Sequence, residues 1–377
     1  MEERSEVKAT DILIVSKAYY PEIGGVETVV KVLAESLSHK KKVTVLTFNK
    51  SNLLSREETN GIEIIRLPSI FRGKTVRISI KFRELFLKIS RRARQIIFNF
   101  PTGQPELYYL LYRKIQSEKI CVYHADIVEY GVIGAVYNLF FVKRFLDSMD
   151  KIIVTSPNIV ESSNILKDYK EKIAVIPLFV DTSHFYPRNP NKREYLVSLF
   201  PKPPEKIVLY IGRLARYKGL EYLTRAMTML EEKYGLVIIG KGRKEEELKR
   251  FAQKLEVEKR VVFLDHVPYD ELPEYYSAAD VFVLPSISRA EAFGLVGLEA
   301  MACGTPVITT ELGTGTSYYN IHEKTGLVVP PKNSKILAES IKRICESDWK
   351  NTKKDIIIKR AKEFSLEMFK QRIEEVL

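Results

Sequence analysis

The segment EAFGLVGLEAMACGTPVITT, residues 291–310, carries two carboxylates, Glu291 and Glu299, in a run that is otherwise almost wholly apolar. An unpaired charge is costly to bury, so each needs either an internal basic group or the hydroxyls of a ligand. Arg213 and Lys218, in GRLARYKG, straddle a loop that opens a helix. Two cations and a positive helix end meet there, a phosphate-binding arrangement; solvated surface cations are the plainer account. Gly24 and Gly25, in YYPEIGGVETVV, stand at the mouth of another helix, where a ligand could approach backbone N–H groups. A tight turn would use the same residues, and the GxGxxG fingerprint is not present. His124, in CVYHADIV, ends an apolar run, as a packed histidine or as one facing a site.

Composition bounds the rest. A chain of 377 residues is long for one core and suggests two domains. No apolar run approaches the roughly 20 residues that span a bilayer. The opening MEERSEVKATD lacks the apolar core of a signal peptide. Cys121, Cys303 and Cys345 are widely spaced, making neither a disulfide framework nor a metal site. The expectation is a reduced, cytoplasmic protein with no metal centre.

Short apolar runs alternate with helical patterns along the whole chain. The first series is 11–21, 42–48, 61–68, 119–125, 150–157 and 172–178; the second is 206–213, 235–242, 260–265, 280–286, 305–310 and 325–331. Such runs signal parallel strands covered on both faces. The Pro- and Asn-rich stretch 179–206 separates the series and reads as a linker. The expected fold class is α/β, with two doubly wound Rossmann-like domains facing across a cleft and spanning 1–182 and 183–351. A last charged helix would cover 352–377. Ligands of open α/β sheets bind beyond the carboxyl ends of the strands, where all the residues singled out above fall. Residues 294–303 read as a helix whose leading amides, near Phe293, Gly294 and Leu295, would face the cleft.

Taken in order, GGVE, YHADIV, GRLARYKG, EAFGLVGLEAMACGTPVI and TGLVVPP resemble the retaining nucleotide-sugar glycosyltransferases of family four, the group 1 enzymes with the GT-B fold. The resemblance covers essentially the whole chain, and its most specific part is the paired glutamates with Arg213 and Lys218 upstream. It implies an acceptor-binding first domain, a donor-binding second domain, no cofactor or metal, and a final helix that packs back on the first domain. By the same resemblance Arg213 and Lys218 clamp the donor diphosphate, and Glu299 accepts from ribose hydroxyls. Glu291 holds hydroxyls of the transferred sugar, and the amides of Phe293, Gly294 and Leu295 touch phosphate or sugar. Gly24 and Gly25 lie against the diphosphate and His124 beside the sugar. Relatives often carry a histidine where this chain has Asn99, which leaves the role of the 99–105 loop open. The run 311–331 resembles a subgroup with mannosyltransferases of cell-surface polysaccharide assembly, favouring GDP-mannose over a UDP-hexose. The other readings are another enzyme of the fold, such as a nucleotide-sugar epimerase or a soluble sucrose- or trehalose-type synthase, and a non-catalytic membrane-surface or nucleic-acid-binding protein that keeps the fold.

The net charge of +12 is unevenly spread. Residues 72–94 hold nine basic residues and one acid, a net of +8, against +7 for residues 1–185 as a whole. Ile78, Phe82, Leu85, Phe86, Ile89, Ala93, Ile96 and Ile97 follow helical spacing, predicting one helix with an apolar face. Its cationic side, including Arg77, Lys81, Lys88, Arg91, Arg92 and Arg94, suits an anionic membrane surface or a lipid-diphosphate acceptor. A peripheral location on the inner face of the cell membrane would follow. Nucleic acid is disfavoured, since no aromatic-basic interleaving or binding module is visible.

Overall fold

The computed structural model describes residues 10–22, 24–72, 77–112, 115–126, 138–189 and 192–377. The chain forms two units. The first comprises Met1–Thr155, Ser163–Ile176 and Lys370–Leu377; the second comprises Ser156–Ser162 and Pro177–Phe369.

Among the described residues the first unit has ten strands: β1 (Ile12–Val15), β2 (Val43–Phe48), β3 (Ser55–Thr59), β4 (Ile62–Leu67), β5 (Phe71–Arg72), β6 (Arg77–Ile78), β7 (Gln95–Phe100), β8 (Glu118–Tyr123), β9 (Lys151–Val154) and β10 (Ile173–Val175). Eight form one sheet in the order β10-β9-β8-β7-β1-β2-β4-β3, parallel except for the β3–β4 pair. Every residue of β1 and β2 is buried, as strands covered on both faces require. The sheet order sets β1, β7 and β8 side by side, so their carboxyl ends open at one edge. Three helices matter for those ends: α1 (Gly25–Ser38), α2 (Phe82–Ser90) and α3 (Gln104–Leu111).

The second unit holds β11 (Lys206–Ile211), β12 (Tyr234–Ile239), β13 (Val261–Leu264), β14 (Val281–Leu284), β15 (Val307–Thr310) and β16 (Gly326–Val329). They form an all-parallel sheet in the order β13-β12-β11-β14-β15-β16. The order reverses between β11 and β14, the topological switch point where an open α/β sheet offers its ligand crevice. The loops that leave these two strands carry Arg213, Lys218 and Glu291.

Three expectations need correction. The helix read over 78–97 is three elements, β6, α2 and β7. Ile96 and Ile97 sit in the sheet opposite Leu13 and Ile14, so their adjacency reflects a strand covered on both faces. The final charged helix is two helices, Lys354–Lys362 and Leu366–Val376. The first buries Ile357 and Ala361 in the second unit, where Arg360 also donates to the carbonyls of Tyr318 and Tyr319. The division of the main chain falls after Ile176, and residues 352–369 belong to the second unit.

Candidate active site

In the second unit, the loop after β11 turns through a short helical segment, Arg216–Lys218, and then Gly219. Gly219 has φ +64°, and a side chain there would also meet the carbonyl oxygen of Pro285, so the turn demands glycine. The helix Leu220–Ala226 follows. This turn drives Lys218 inward. Its side chain is 9% exposed, and Nζ lies 2.5 Å from Glu291 Oε2. Ser286, just past β14, donates to the same oxygen at 2.8 Å. Burial works to lower the Lys218 pKa, but Glu291 and Tyr217 together outweigh it and the net shift is upward, so the ammonium stays charged. The loops are tied by backbone too: the N–H of Ile287 donates to the carbonyl of Tyr217 at 2.8 Å. Thr314 Oγ1 donates to the Glu291 carbonyl at 2.8 Å, and the N–H of Gly315 donates to that of Ala292 at 2.8 Å. Glu291 is therefore held from three sides.

Arg213 is exposed, and its guanidinium has no hydrogen bond or ion pair among the described residues. It acts on Tyr217 electrostatically together with Lys218 and Glu291, which places the three charges in one cluster.

The helix Leu295–Ala302 begins after Gly294, whose φ of +75° is the left-handed value that lets the chain enter the helix. Its first amides have no carbonyl one turn back within the helix. Phe293 is buried against Tyr319 and Phe364, so its side chain is a packing anchor and only its backbone is offered to a ligand. Glu299, on the next turns, accepts from the hydroxyl of Tyr276 at 2.7 Å. Burial pushes its carboxyl up to about 7, against the opposing pull of that hydrogen bond. The expected partnership of both glutamates with ligand hydroxyls alone is thus corrected. Each already has a protein partner, Lys218 with Ser286 for Glu291 and Tyr276 for Glu299. Neither Ser286 nor Tyr276 stood out in the sequence, since a lone hydroxyl within an apolar run carries no signal of its own.

In the first unit, Gly24 and Gly25 lead from the loop after β1 into α1, and no side chain caps that helix start. A methyl group added at Gly25 meets no described atom within 4 Å. His124 follows β8 directly and is 5% exposed. Asn99 on β7 donates its amide to the carbonyl of Val15 at 3.3 Å, which turns Oδ1 toward His124 Nε2 at 3.1 Å. Because Oδ1 only accepts, Nε2 carries the proton and Nδ1 is left as the acceptor. Burial pushes the His124 pKa down to about 4, so the ring is neutral near pH 7. The carboxyl ends of three adjacent strands thereby bring Gly24, Gly25, Asn99 and His124 to one edge.

The basic stretch divides. Lys81, Lys88, Arg91, Arg92 and Arg94 are exposed. Ile80, Arg83, Glu84, Leu87, Lys88, Arg91 and Arg92 line a concavity of about 670 Å³. Arg77 does not belong to this surface. Its side chain is 13% exposed and is paired with Glu22, 55 positions earlier, at 2.7 Å. Lys74 lies outside the described residues. Among the described residues no group of three His, Cys, Asp or Glu could hold a metal ion, and no helix is long and apolar enough to cross a membrane.

Residues 191–364 match the family model for Glycosyl transferases group 1, and residues 23–184 match that for Glycosyltransferase Family 4. A D-rhamnosyltransferase of Pseudomonas aeruginosa is 31% identical over 332 residues, 88% of this chain and 85% of that protein. The O-antigen chain mannosyltransferase C of Escherichia coli is 30% identical over 345 residues, 90% of this chain and 89% of that one. The solved sucrose-phosphate synthase from Thermosynechococcus elongatus superposes with a TM-score of 0.77 at 26% identity, covering 97% of both chains. An Anabaena protein solved in complex with UDP-glucose also gives 0.77, at 19% identity over 97% of this chain and 99% of that one, a likeness of fold alone.

Proposed function

We propose that this chain, which belongs to the family 4 (group 1) glycosyltransferases and has their GT-B fold, is a retaining hexosyltransferase. It moves a sugar, mannose by preference, from a nucleoside diphosphate to a lipid-linked or cell-surface glycan acceptor. The observation that carries this reading is the cluster of Arg213, Lys218 and Glu291 at the switch point of the second sheet, inside the segment that matches the group 1 model. The rhamnosyl- and mannosyltransferases among the relatives support the sugar class.

The chemistry follows from charge. Cleaving the bond between the anomeric carbon and the phosphate oxygen leaves a nucleoside diphosphate with added negative charge. Preorganised cations aimed at that charge supply the largest catalytic contribution. Lys218 is already fixed for this by Glu291 and needs no reorganisation, while Arg213 is free to close on the diphosphate. The opening amides of the Leu295–Ala302 helix add the positive end of its dipole. Glu291 orients Lys218 and meets sugar hydroxyls, and Glu299 accepts from the ribose. His124, neutral and with Nδ1 as acceptor, suits a sugar hydroxyl rather than an anion. These residues do the work without a divalent metal. The exposed basic face of α2 holds the enzyme to an anionic membrane surface.

Release of nucleoside diphosphate from GDP-mannose, UDP-glucose and other nucleotide sugars, with and without membrane lipid extract and with excess EDTA, tests this. The expected result is chelator-resistant release that lipid extract accelerates. Acceleration by a sugar phosphate instead would make the chain a synthase of the kind its solved neighbour represents. Loss with EDTA and recovery with Mg²⁺ would overturn the metal-free mechanism.

A further inference from the structure

Arg77 turns away from the exposed face of α2 and is engaged on both guanidinium nitrogens at the loop edge of the first unit. Nη1 donates to Glu22 Oε1 at 2.7 Å, to the carbonyl of Phe48 at 3.1 Å and to that of Lys17 at 3.4 Å, while Nη2 donates to Glu22 Oε2 at 2.7 Å. The planar guanidinium meets the carboxylate in a two-pronged geometry that a lysine cannot reproduce. Lys17 and Glu22 bracket the loop between β1 and α1, and Gly24 and Gly25 come immediately after it. Arg66, at the far end of β4, holds the same loop through the carbonyls of Tyr20 at 2.5 Å and Tyr19 at 3.5 Å.

The loop also has bonds of its own: Ser16 Oγ donates to the carbonyl of Ala18 at 2.8 Å and the N–H of Glu22 to that of Tyr19 at 3.1 Å, while Lys50 is a second, exposed cation 3.3 Å from Glu22. Gly24 has no side chain with which to cap α1, although its carbonyl accepts from the N–H and the hydroxyl of Thr28 at 3.0 Å each, so the guanidinium of Arg77 adds an anchor from outside the loop. The segment carrying Arg77 is itself anchored to a second loop. Arg77 makes a parallel bridge with Gly103, and both the N–H and the carbonyl of Ser79 are bonded to the side chain of Gln104 at 2.8 Å. Residues 77–79 thus clasp the loop after β1 on one side and the loop after β7 on the other.

We infer that Arg77 is a positioning residue of the transfer reaction: through Glu22 it sets the backbone of Gly24 and Gly25 where the donor diphosphate approaches. The inference rests on the glycosyltransferase reading, in which Gly24 and Gly25 lie against the donor diphosphate as the family resemblance implies. Displacing catalytic groups by about 1 Å can cost on the order of 100-fold in rate, so a loop without its anchor turns over slowly although the protein remains folded.

The test compares Arg77→Ala, Arg77→Lys, Glu22→Gln and Gly25→Ala for nucleoside diphosphate release from GDP-mannose and UDP-glucose, with thermal melting of each. Arg77→Ala is expected to lose about 10- to 100-fold in kcat/KM, chiefly in kcat. Glu22→Gln should lose less, and a double variant combining Arg77→Ala with Glu22→Gln should lose no more than Arg77→Ala alone. Arg77→Lys should recover part of the loss, because one ammonium can meet Glu22 but cannot also reach both carbonyls. Wild-type kcat/KM in Arg77→Ala alongside a crippled Gly25→Ala would overturn the positioning role and leave the donor reading intact. A fully active Gly25→Ala, or a wild type inert toward both donors, would overturn the donor reading and the role of Arg77 with it. Should Arg77→Ala be unfolded at the assay temperature, Glu22→Gln decides: wild-type kinetics in that variant overturn the inference.

Discussion

Removing Lys218 does two separable things. It deletes a charge that stabilises the leaving diphosphate, which costs about 100- to 1,000-fold in kcat. It also strands Glu291 without its cation, a loss of about 3–5 kcal/mol for a buried pair. Lys218→Ala should therefore melt well below wild type, whereas cations that merely repelled one another would leave folding unchanged. Adding Glu291→Gln to Lys218→Ala should restore much of the melting temperature and none of the turnover. A double variant no more stable than Lys218→Ala would contradict the pairing. Glu299 and His124 make a second prediction, of opposite signs. The Glu299 carboxyl is raised from 4.5 to about 7 in the fold, so its contribution is fully present below pH 4.5 and is lost as pH rises through 7. The His124 value is lowered from 6.5 to about 4, so its contribution is present above pH 6.5 and is lost as pH falls through 4. Between them the two offset each other, each by up to ~3 kcal/mol. Glu299→Gln removes one side: in urea unfolding at pH 5, 6 and 7.5 the variant should gain on wild type as pH rises. A pH-independent difference would refute the raised carboxyl. Donor KM should fall over the same range in wild type, as the ionised Glu299 becomes the better acceptor for a ribose hydroxyl.

The helix α2 and its flanks carry the membrane prediction. With Arg77 paired internally, the cationic surface consists of Lys81, Arg83, Lys88, Arg91, Arg92 and Arg94 against Glu84 on α2 and Asp11, which lies 3.8 Å from Arg94. Each such cation near an anionic bilayer contributes about 1 kcal/mol, an attraction screened over ~10 Å at 0.1 M salt. Reversing Arg91, Arg92 and Arg94 to Glu should release the protein from anionic liposomes at low salt while sparing donor hydrolysis. Co-sedimentation equal to wild type would make α2 a solvated helix face and nothing more. The same region shows where elements were legible. All twelve apolar runs hold strands, and the record is clearest where burial is continuous, as in β1, β2, β12, β14 and β15. β3, reading Ser-Arg-Glu-Glu-Thr, left none: it is an exposed edge strand defined by its pairing with β4. In β7 the pair Ile96–Ile97 extended the helical spacing of α2 by accident, since two adjacent buried residues fit either period. The site behaved likewise. Arg213, Lys218 and the glutamates could be picked out as loop residues, but the Lys218–Glu291 bond joins positions 73 apart and Arg77–Glu22 positions 55 apart, distances over which local pattern says nothing.

At the scale of the whole chain, the last helix, Leu366–Val376, starts in the second unit and ends in the first. Its end is bound by four side chains of the first unit. Lys41 and Gln95 donate to the carbonyl of Leu377 at 2.7 and 3.4 Å, Lys151 donates to that of Val376 at 2.5 Å, and Lys40 pairs with Glu374. Lys41, Gln95 and Lys151 lie beside or at the amino ends of β2, β7 and β9, so these bonds hold the edge of the sheet opposite the ligand loops. Deleting Lys370–Leu377 should lower the melting temperature of the first unit more than that of the second. Calorimetry resolving the two transitions checks this, and equal shifts would count against it.

A charge neutralised within 2.5 Å is nearly silent at a distance, because the field of a close pair dies away faster than that of a lone ion. Lys218 thus contributes little to the first attraction of an anionic donor, and the exposed Arg213 becomes the beacon of the second unit's site. Encounter and dwell time are then governed by different residues. Arg213→Gln should slow donor association and flatten its dependence on ionic strength, and Lys218→Ala should chiefly hasten departure. Stopped-flow traces at several salt concentrations would tell the two apart, and an association rate indifferent to Arg213 would reverse the assignment.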